Sequence, residues 1–153
     1  MNARETIERL VYKSTMALDE KNFDAYLDLC DDGYKYRISA YSPEIRKNMI
    51  WLEHDKSGMA TLFKNLPRHN SDHSPLTRHV TIYTIDMKDN DKEAEIVSGL
   101  QVFKTSLDGG TTELYAVGKM YDTVKLNGDG ATLVSRDIHL DTRELGIGHH
   151  VPF

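Results

Sequence analysis

The chain has 153 residues and a formal net charge of −5, from 19 Lys and Arg against 24 Asp and Glu, a length that suits one domain over residues 1–153. Such a chain removes roughly 68–70% of its unfolded surface from water on folding, so it needs neither metal nor disulfide, and its single cysteine, Cys30, points to a reducing, cytoplasmic setting. The mildly acidic balance without a basic run argues against nucleic-acid partners, and MNARETIERLVYKSTMALDEKNF mixes charge with apolar residues too evenly for a signal peptide or a membrane span.

The first 31 residues read as two helices, because Ile7, Leu10, Val11, Ser14, Ala17 and Leu18 recur at helical spacing and Phe23, Tyr26, Leu27 and Cys30 do so again after Asn22. After Gly33, the alternation of Tyr34, Tyr36, Ile38 and Ala40 with Lys35, Arg37, Ser39 and Tyr41 predicts a half-buried strand. Met49 to Leu52 is short enough to be a strand or edge segment. Asp55 can cap a third helix with Met59, Leu62, Phe63 and Leu66 on one face, and Pro67 is expected to end it. Arg68 to Pro75 reads as a polar loop suited to docking. From there the pattern is β: Thr77–Ile85, Glu93–Thr105, Thr111–Leu126 and Ala131–Asp141, separated by turn clusters. Helices first and long antiparallel strands afterwards predict an α+β fold, with N-terminal helices packed on a strongly curved, mostly antiparallel sheet.

The last hairpin carries a charge argument. Leu114, Ala116, Gly118, Met120, Val124 and Leu126 share one parity, and Val134, Ile138 and Leu140 share one on the returning strand. A three-residue loop from Asn127 to Asp129 turns both sets inward, sets Asp122 opposite Val134 and makes Asp122 and Arg136 diagonal neighbours on the inner face. Two charges turned inward cost several kcal/mol each unless they are paired, so an Asp122–Arg136 ion pair or shared polar network is expected. Its plain role is structural neutralisation; catalysis in a cavity and subunit contact are the alternatives.

The seven histidines show no metal-ligand spacing. His69 and His73 fall in the polar loop, and the adjacent His149 and His150 point to opposite sides of an extended tail. One cysteine cannot hold a Rieske cluster, which needs two Cys and two His. No glycine-rich phosphate loop and no Gly-x-Ser-x-Gly elbow occurs. Acid–base chemistry is the enzymatic option left, because a carboxyl or imidazole in an apolar cavity takes a shifted pKa, with His79, Asp122, Tyr115 and His139 as candidates. Parity turns His79 and His139 to the polar faces of their strands.

Four stretches carry a family resemblance: Tyr34-Lys35-Tyr36-Arg37-Ile38; Trp51-Leu52-Glu53-His54-Asp55 with Leu62 and Leu66; Pro75-Leu76-Thr77-Arg78-His79-Val80; and Tyr121-Asp122 with Arg136-Asp137-Ile138-His139-Leu140-Asp141. Over nearly its whole length the chain resembles the small (β) subunits of Rieske-type ring-hydroxylating oxygenases, of the cone-shaped NTF2-like and SnoaL-like superfamily. The resemblance implies a subunit without a redox centre, forming a homotrimeric base in an α3β3 hexamer. The Rieske [2Fe–2S] cluster and mononuclear iron would sit on the large (α) subunit, fed by a ferredoxin or reductase. Aromatic compounds are the common substrates, and alkanesulfonate monooxygenation is the other branch. Interface positions are expected at Arg68, His73 and Arg78 and in the tail at His149, His150 and Phe153. The rival reading is a free-standing SnoaL- or ketosteroid-isomerase-like enzyme acting on a small hydrophobic substrate in the cone.

Overall fold

The computed structural model describes residues 2–69, 73–143 and 151–153, with backbone alone at 68 and 69. Helix α1, Ala3–Asp19, starts where the Asn2 side chain accepts a hydrogen bond from the Glu5 amide, and it buries Ile7, Leu10, Val11, Ser14, Ala17 and Leu18 along one face. Lys21, at φ 57°, reverses the chain, and Asn22 caps α2, Phe23–Asp28. Strand β1, Cys30–Ser42, begins at once, four residues earlier than the alternation of Tyr34 onward indicates. Strand β2, Lys47–Asp55, lies at the sheet edge.

Helix α3, Lys56–His69, is capped by Asp55, whose Oδ1 accepts from the Gly58 amide at 2.7 Å. Pro67 does not end α3, contrary to the sequence expectation; the helix runs on to His69. Proline already holds a helical φ, so its cost is one missing donor and crowding of the Phe63 carbonyl, which a final turn bears more easily than a helix interior.

The remaining strands are β3 (Leu76–Lys88), β4 (Glu93–Thr105), β5 (Thr112–Asn127) and β6 (Gly130–Leu140). All six form one open sheet in the order β2-β1-β6-β5-β4-β3, antiparallel throughout except for the parallel β1–β6 junction. Helix α1 packs on β3 and β6, and α3 on β1 and β2, so the core lies between the helices and the inner sheet face. Five register shifts, one in each pairing β1–β2, β1–β6, β3–β4, β4–β5 and β5–β6, supply the local bending that lets one sheet wrap those helices. The architecture is the α+β cone.

Two of these shifts correct the expected register. The last hairpin turns on two residues, with Asn127 paired to Gly130, and Gly128 at φ 60° supplies the positive φ that primed hairpin turns need. The parity mismatch is absorbed between Thr123 and Val124, where Val134 is the extra residue, so Leu133 rather than Val134 enters the core. Asp122 therefore stands directly opposite Arg136, not opposite Val134. In β4–β5 the shift at Val102/Phe103 makes Tyr115 the extra residue, and Leu114, expected inside, is 53% exposed.

Candidate functional site

Three places in the cone concentrate chemistry. The first is the buried floor. Arg136 Nε donates to Asp122 Oδ1 at 2.8 Å and its Nη2 to Oδ2 at 3.1 Å, while Nη2 also reaches Ser14 Oγ at 2.9 Å. Both side chains are sealed, at 1% and 0% exposure. Burial alone would lower the Arg136 pKa, but the Asp122 carboxylate outweighs it and holds the guanidinium charged. Both oxygens of Asp122 are engaged, so this carboxylate is held as a counter-ion, and it does not line the cavity described below.

Around the pair lie three buried tyrosines. The Tyr26 and Tyr34 hydroxyls share a hydrogen bond, and the Tyr36 hydroxyl accepts from the Phe153 amide at 2.7 Å. Desolvation pushes all three phenols well above their ordinary value, and burial likewise pushes the Cys30 thiol up to about 12. These groups are protonated donors at neutral pH and hold no charge of their own.

The second place is a cavity of about 330 Å³ where α1, α2 and α3 meet β3, β4 and β5. Its floor is buried Leu18, Phe63, Leu66 and Arg78; exposed Lys21, Pro67 and His73 mark its rim. Phe23 stacks on Phe63 with centroids 4.3 Å apart, making one wall, and Tyr115 makes another, with Lys104 Nζ 4.9 Å from its ring centre. Arg78 donates from Nη1 to Asp19 at 2.7 Å and from Nη2 to the Pro152 carbonyl at 2.7 Å. Asp19 also accepts from the Arg78 backbone amide. Burial pulls the Arg78 pKa below its ordinary value, with Asp19 pulling it back up. Phe153 meets Tyr115 edge to face, so residues 151–153 fill part of the cone beside this cavity.

The third place is the outer sheet face. Arg37 holds Asp137 through two hydrogen bonds, 3.2 and 2.8 Å, with Glu53 at 4.0 Å on one side and His139 Nε2 3.1 Å from Asp137 on the other. Tyr121 packs against the His139 ring, and Tyr41, Ile50, Trp51, Tyr83 and Leu114 are exposed large side chains.

The candidate residues do not converge on one site. His79 is exposed beside the Phe103 ring, His139 is on the outer face, Asp122 is in the floor and Tyr115 alone lines the cavity. Of the expected interface residues, Arg78 and Phe153 are turned inward, 5% and 1% exposed, because Asp19, Pro152 and Tyr36 take up their polar groups. His73 is exposed at the cavity rim; the Arg68 side chain, His149 and His150 lie outside the described residues. Sequence reasoning missed Ser14 as a partner of Arg136, although a polar residue on the apolar stripe of α1 was the signal. It missed Asp19 too, which meets Arg78 across 59 positions and leaves no local trace.

Among the described residues no group of three or more His, Cys, Asp or Glu could hold a metal ion, and no helix is long and apolar enough to cross a membrane. The sequence model of the family described as "Ring hydroxylating beta subunit" matches residues 13–146. The beta subunit of methanesulfonate monooxygenase hydroxylase from Methylosulfonomonas methylovora is 40% identical over 99% of this chain and 87% of its own length. The beta subunit of 2-aminobenzenesulfonate 2,3-dioxygenase from an Alcaligenes species is 32% identical over 96% of this chain and 97% of its own. A chain of naphthalene 1,2-dioxygenase, solved with indole in its active site, superposes with a TM-score of 0.78 at 17% identity, over 98% of this chain and 84% of that one. A cone whose floor is locked by an internal ion pair, matched along its length by these subunits, belongs to the family of ring-hydroxylating oxygenase beta subunits.

Proposed function

We propose that this chain is the non-catalytic β subunit of a Rieske-type terminal oxygenase whose substrate is an organosulfonate. The observation that carries the substrate class is that both curated relatives, similar along almost the whole chain, act in sulfonate oxygenases by name. The higher identity to the methanesulfonate system favours a small alkanesulfonate over an aromatic one. The role is scaffolding. Three β subunits form a trimer beneath three large subunits, α3β3, and the [2Fe–2S] cluster and mononuclear iron reside on the large subunit, reduced by a ferredoxin or reductase. The committed state of Asp122, engaged at both oxygens, supports this over a free-standing isomerase-like enzyme, which would need an available base in its cavity.

The subunit interface is expected on the outer sheet face around Arg37, Tyr121 and His139, where aromatic and charged side chains are exposed together. Co-expression with a large (α) oxygenase subunit, followed by light scattering and metal analysis, tests the assembly. The expected result is a complex of six chains with iron on the large subunit only. Oxygen uptake on methanesulfonate, 2-aminobenzenesulfonate and benzoate then tests the substrate class; a preference for benzoate overturns it. A chain that stays alone and turns over a substrate without a partner overturns the scaffold reading.

A further inference from the structure

The turn joining β5 to β6 holds a reactive pair of residues that scaffolding does not require. Among the chain's asparagines, Asn127 alone is followed by glycine. Asn2 and Asn22 commit their side-chain oxygens to capping helices, through the Glu5 and Ala25 amides. Asn48, Asn65 and Asn90 precede Met49, Leu66 and Asp91, whose side chains crowd the backbone nitrogen that follows each asparagine. No such crowding exists at Gly128, where even an added Cβ would meet nothing within 4 Å.

The turn opens both reacting groups to water. Asn127 and Gly128 are exposed. The Asn127–Gly130 pair is the last rung of the β5–β6 ladder, so the Gly128 amide lies beyond the cross-strand hydrogen bonds. In an extended residue the side-chain carbonyl carbon stands away from the next backbone nitrogen, and the last rung must open before the two can meet. A terminal rung opens at little free-energy cost, and glycine gives the opened tip the freedom to close a five-membered ring.

We infer that Asn127 is a site of spontaneous modification, converting to isoaspartate and aspartate through a succinimide. Hydroxide takes the proton of the Gly128 amide, and the nitrogen attacks Cγ of Asn127. A bond forms between that nitrogen and Cγ; the bond from Cγ to Nδ2 breaks, and ammonia leaves with the electron pair and a proton from water. Water then opens the ring. Attack at Cγ returns aspartate, and attack at the main-chain carbonyl gives isoaspartate, whose backbone runs through Cβ. Either product adds a carboxylate and takes the formal net charge from −5 to −6. Isoaspartate also lengthens the main chain by one carbon, so the Asn127–Gly130 rung no longer closes in register. The Asp122–Arg136 rung lies beyond the Val134 bulge and keeps its pairing.

The test incubates the full chain at body temperature in neutral and in mildly alkaline buffer, cuts it with trypsin in brief digests and weighs the peptides. Cleavage after Lys125 and Arg136 isolates residues 126–136, with Asn127 as the one asparagine; Asn48, Asn65 and Asn90 each fall in a peptide of their own. The 126–136 peptide should gain the mass difference between NH2 and OH about tenfold faster than those three, and faster again in the alkaline buffer. Isoaspartyl methyltransferase should label the same peptide. Asn127→Gln, which could only close a six-membered ring, should abolish both signals. Gly128→Asp puts a side chain beside the nitrogen with a residue that tolerates positive φ, and should slow the gain about tenfold. Asn127→Gln, a conservative change at an exposed position, keeps the test decisive if Gly128→Asp does not fold. Equal rates at the four asparagines, or no gain in residues 126–136, overturns the inference. So does a gain without methyltransferase labelling, or one that persists in Asn127→Gln.

Discussion

Neighbouring residues of β6 face opposite ways and make the same bond in two settings. Arg136 meets Asp122 inside the cone through two hydrogen bonds; Asp137 meets Arg37 outside, also through two. The inner pair is sealed at 1% and 0% exposure, the outer pair open at 46% and 30%. Geometry is nearly equal, so solvent decides the worth of each. Inside, neither charge has water to fall back on, and the pair is obligatory once one partner is present. Outside, water and salt screen the attraction and offer each ion an alternative partner. The lesson is that the inner pair sets which register the hairpin can adopt, and the outer pair decorates a face open to solvent.

Breaking the inner pair should give the largest effect. Arg136→Met leaves Asp122 buried and unpaired, and a loss of about 3–5 kcal/mol is expected, read as a large fall in the melting temperature. The paired replacement Asp122→Leu with Arg136→Met should recover most of that loss, because removing both charges removes the uncompensated one. If the single and double variants are equally unstable, the cost is packing rather than charge.

A smaller effect is expected at Gly118, on β5 opposite Leu140, where an added Cβ would collide with the His139 carbonyl and the Leu140 backbone. Backbone cannot step aside as a flexible side chain can. Gly118→Ala should cost about 1–3 kcal/mol by chemical denaturation, the range for overpacking a filled site.

The buried hydroxyls predict a pH window on the inner side only. Tyr26, Tyr34, Tyr36 and Cys30 all have folded pKa values raised by burial, Cys30 to about 12. A raised folded value means the native state holds the proton more tightly than the unfolded chain does. Stability is therefore full below the unfolded values, about 8.5 for a thiol and 10 for a phenol, and falls as pH rises beyond them. Melting temperatures should decline steadily above about pH 9, with Tyr36→Phe shrinking the slope by removing one titrating group. In the native state Cys30 should stay unreactive to thiol reagents at neutral pH and react on unfolding.

What was legible in the sequence follows from range. Helix α1, the alternation in β1 and the strands β3 to β6 are written in local periodicity, and the inward turn of Asp122 and Arg136 follows from parity along single strands. The exact register was not legible, because a bulge at Val134 and another at Tyr115 cost little and repair a parity clash that a bulge-free pairing would solve with a longer loop. Residues joined across the fold were out of reach: Asp19 with Arg78, Tyr36 with the Phe153 amide, Ser14 with Arg136. Arg78 and Phe153 were expected at an interface because they lie in extended polar–aromatic segments, and only tertiary packing turns them inward in the chain itself.

The outer pair gives the smallest effect and the cleanest contrast. Burial would raise the Asp137 pKa, but hydrogen bonds from Arg37 and His139 prevail and hold it below the ordinary carboxylate value. A lowered folded value means the pair's contribution is present above the unfolded aspartate value, about 3.9, and is lost as pH falls below it. A double-mutant cycle of Arg37→Met and Asp137→Asn should return a coupling of about 0.2–1 kcal/mol at neutral pH and low salt, shrinking with added salt and vanishing in acid. A coupling in the isolated chain as large as that of the buried pair would mean that solvent does not separate these two bonds. A coupling that grows only when the large subunit is present would mean that assembly buries Arg37 and Asp137 and turns the outer pair into a second inner one.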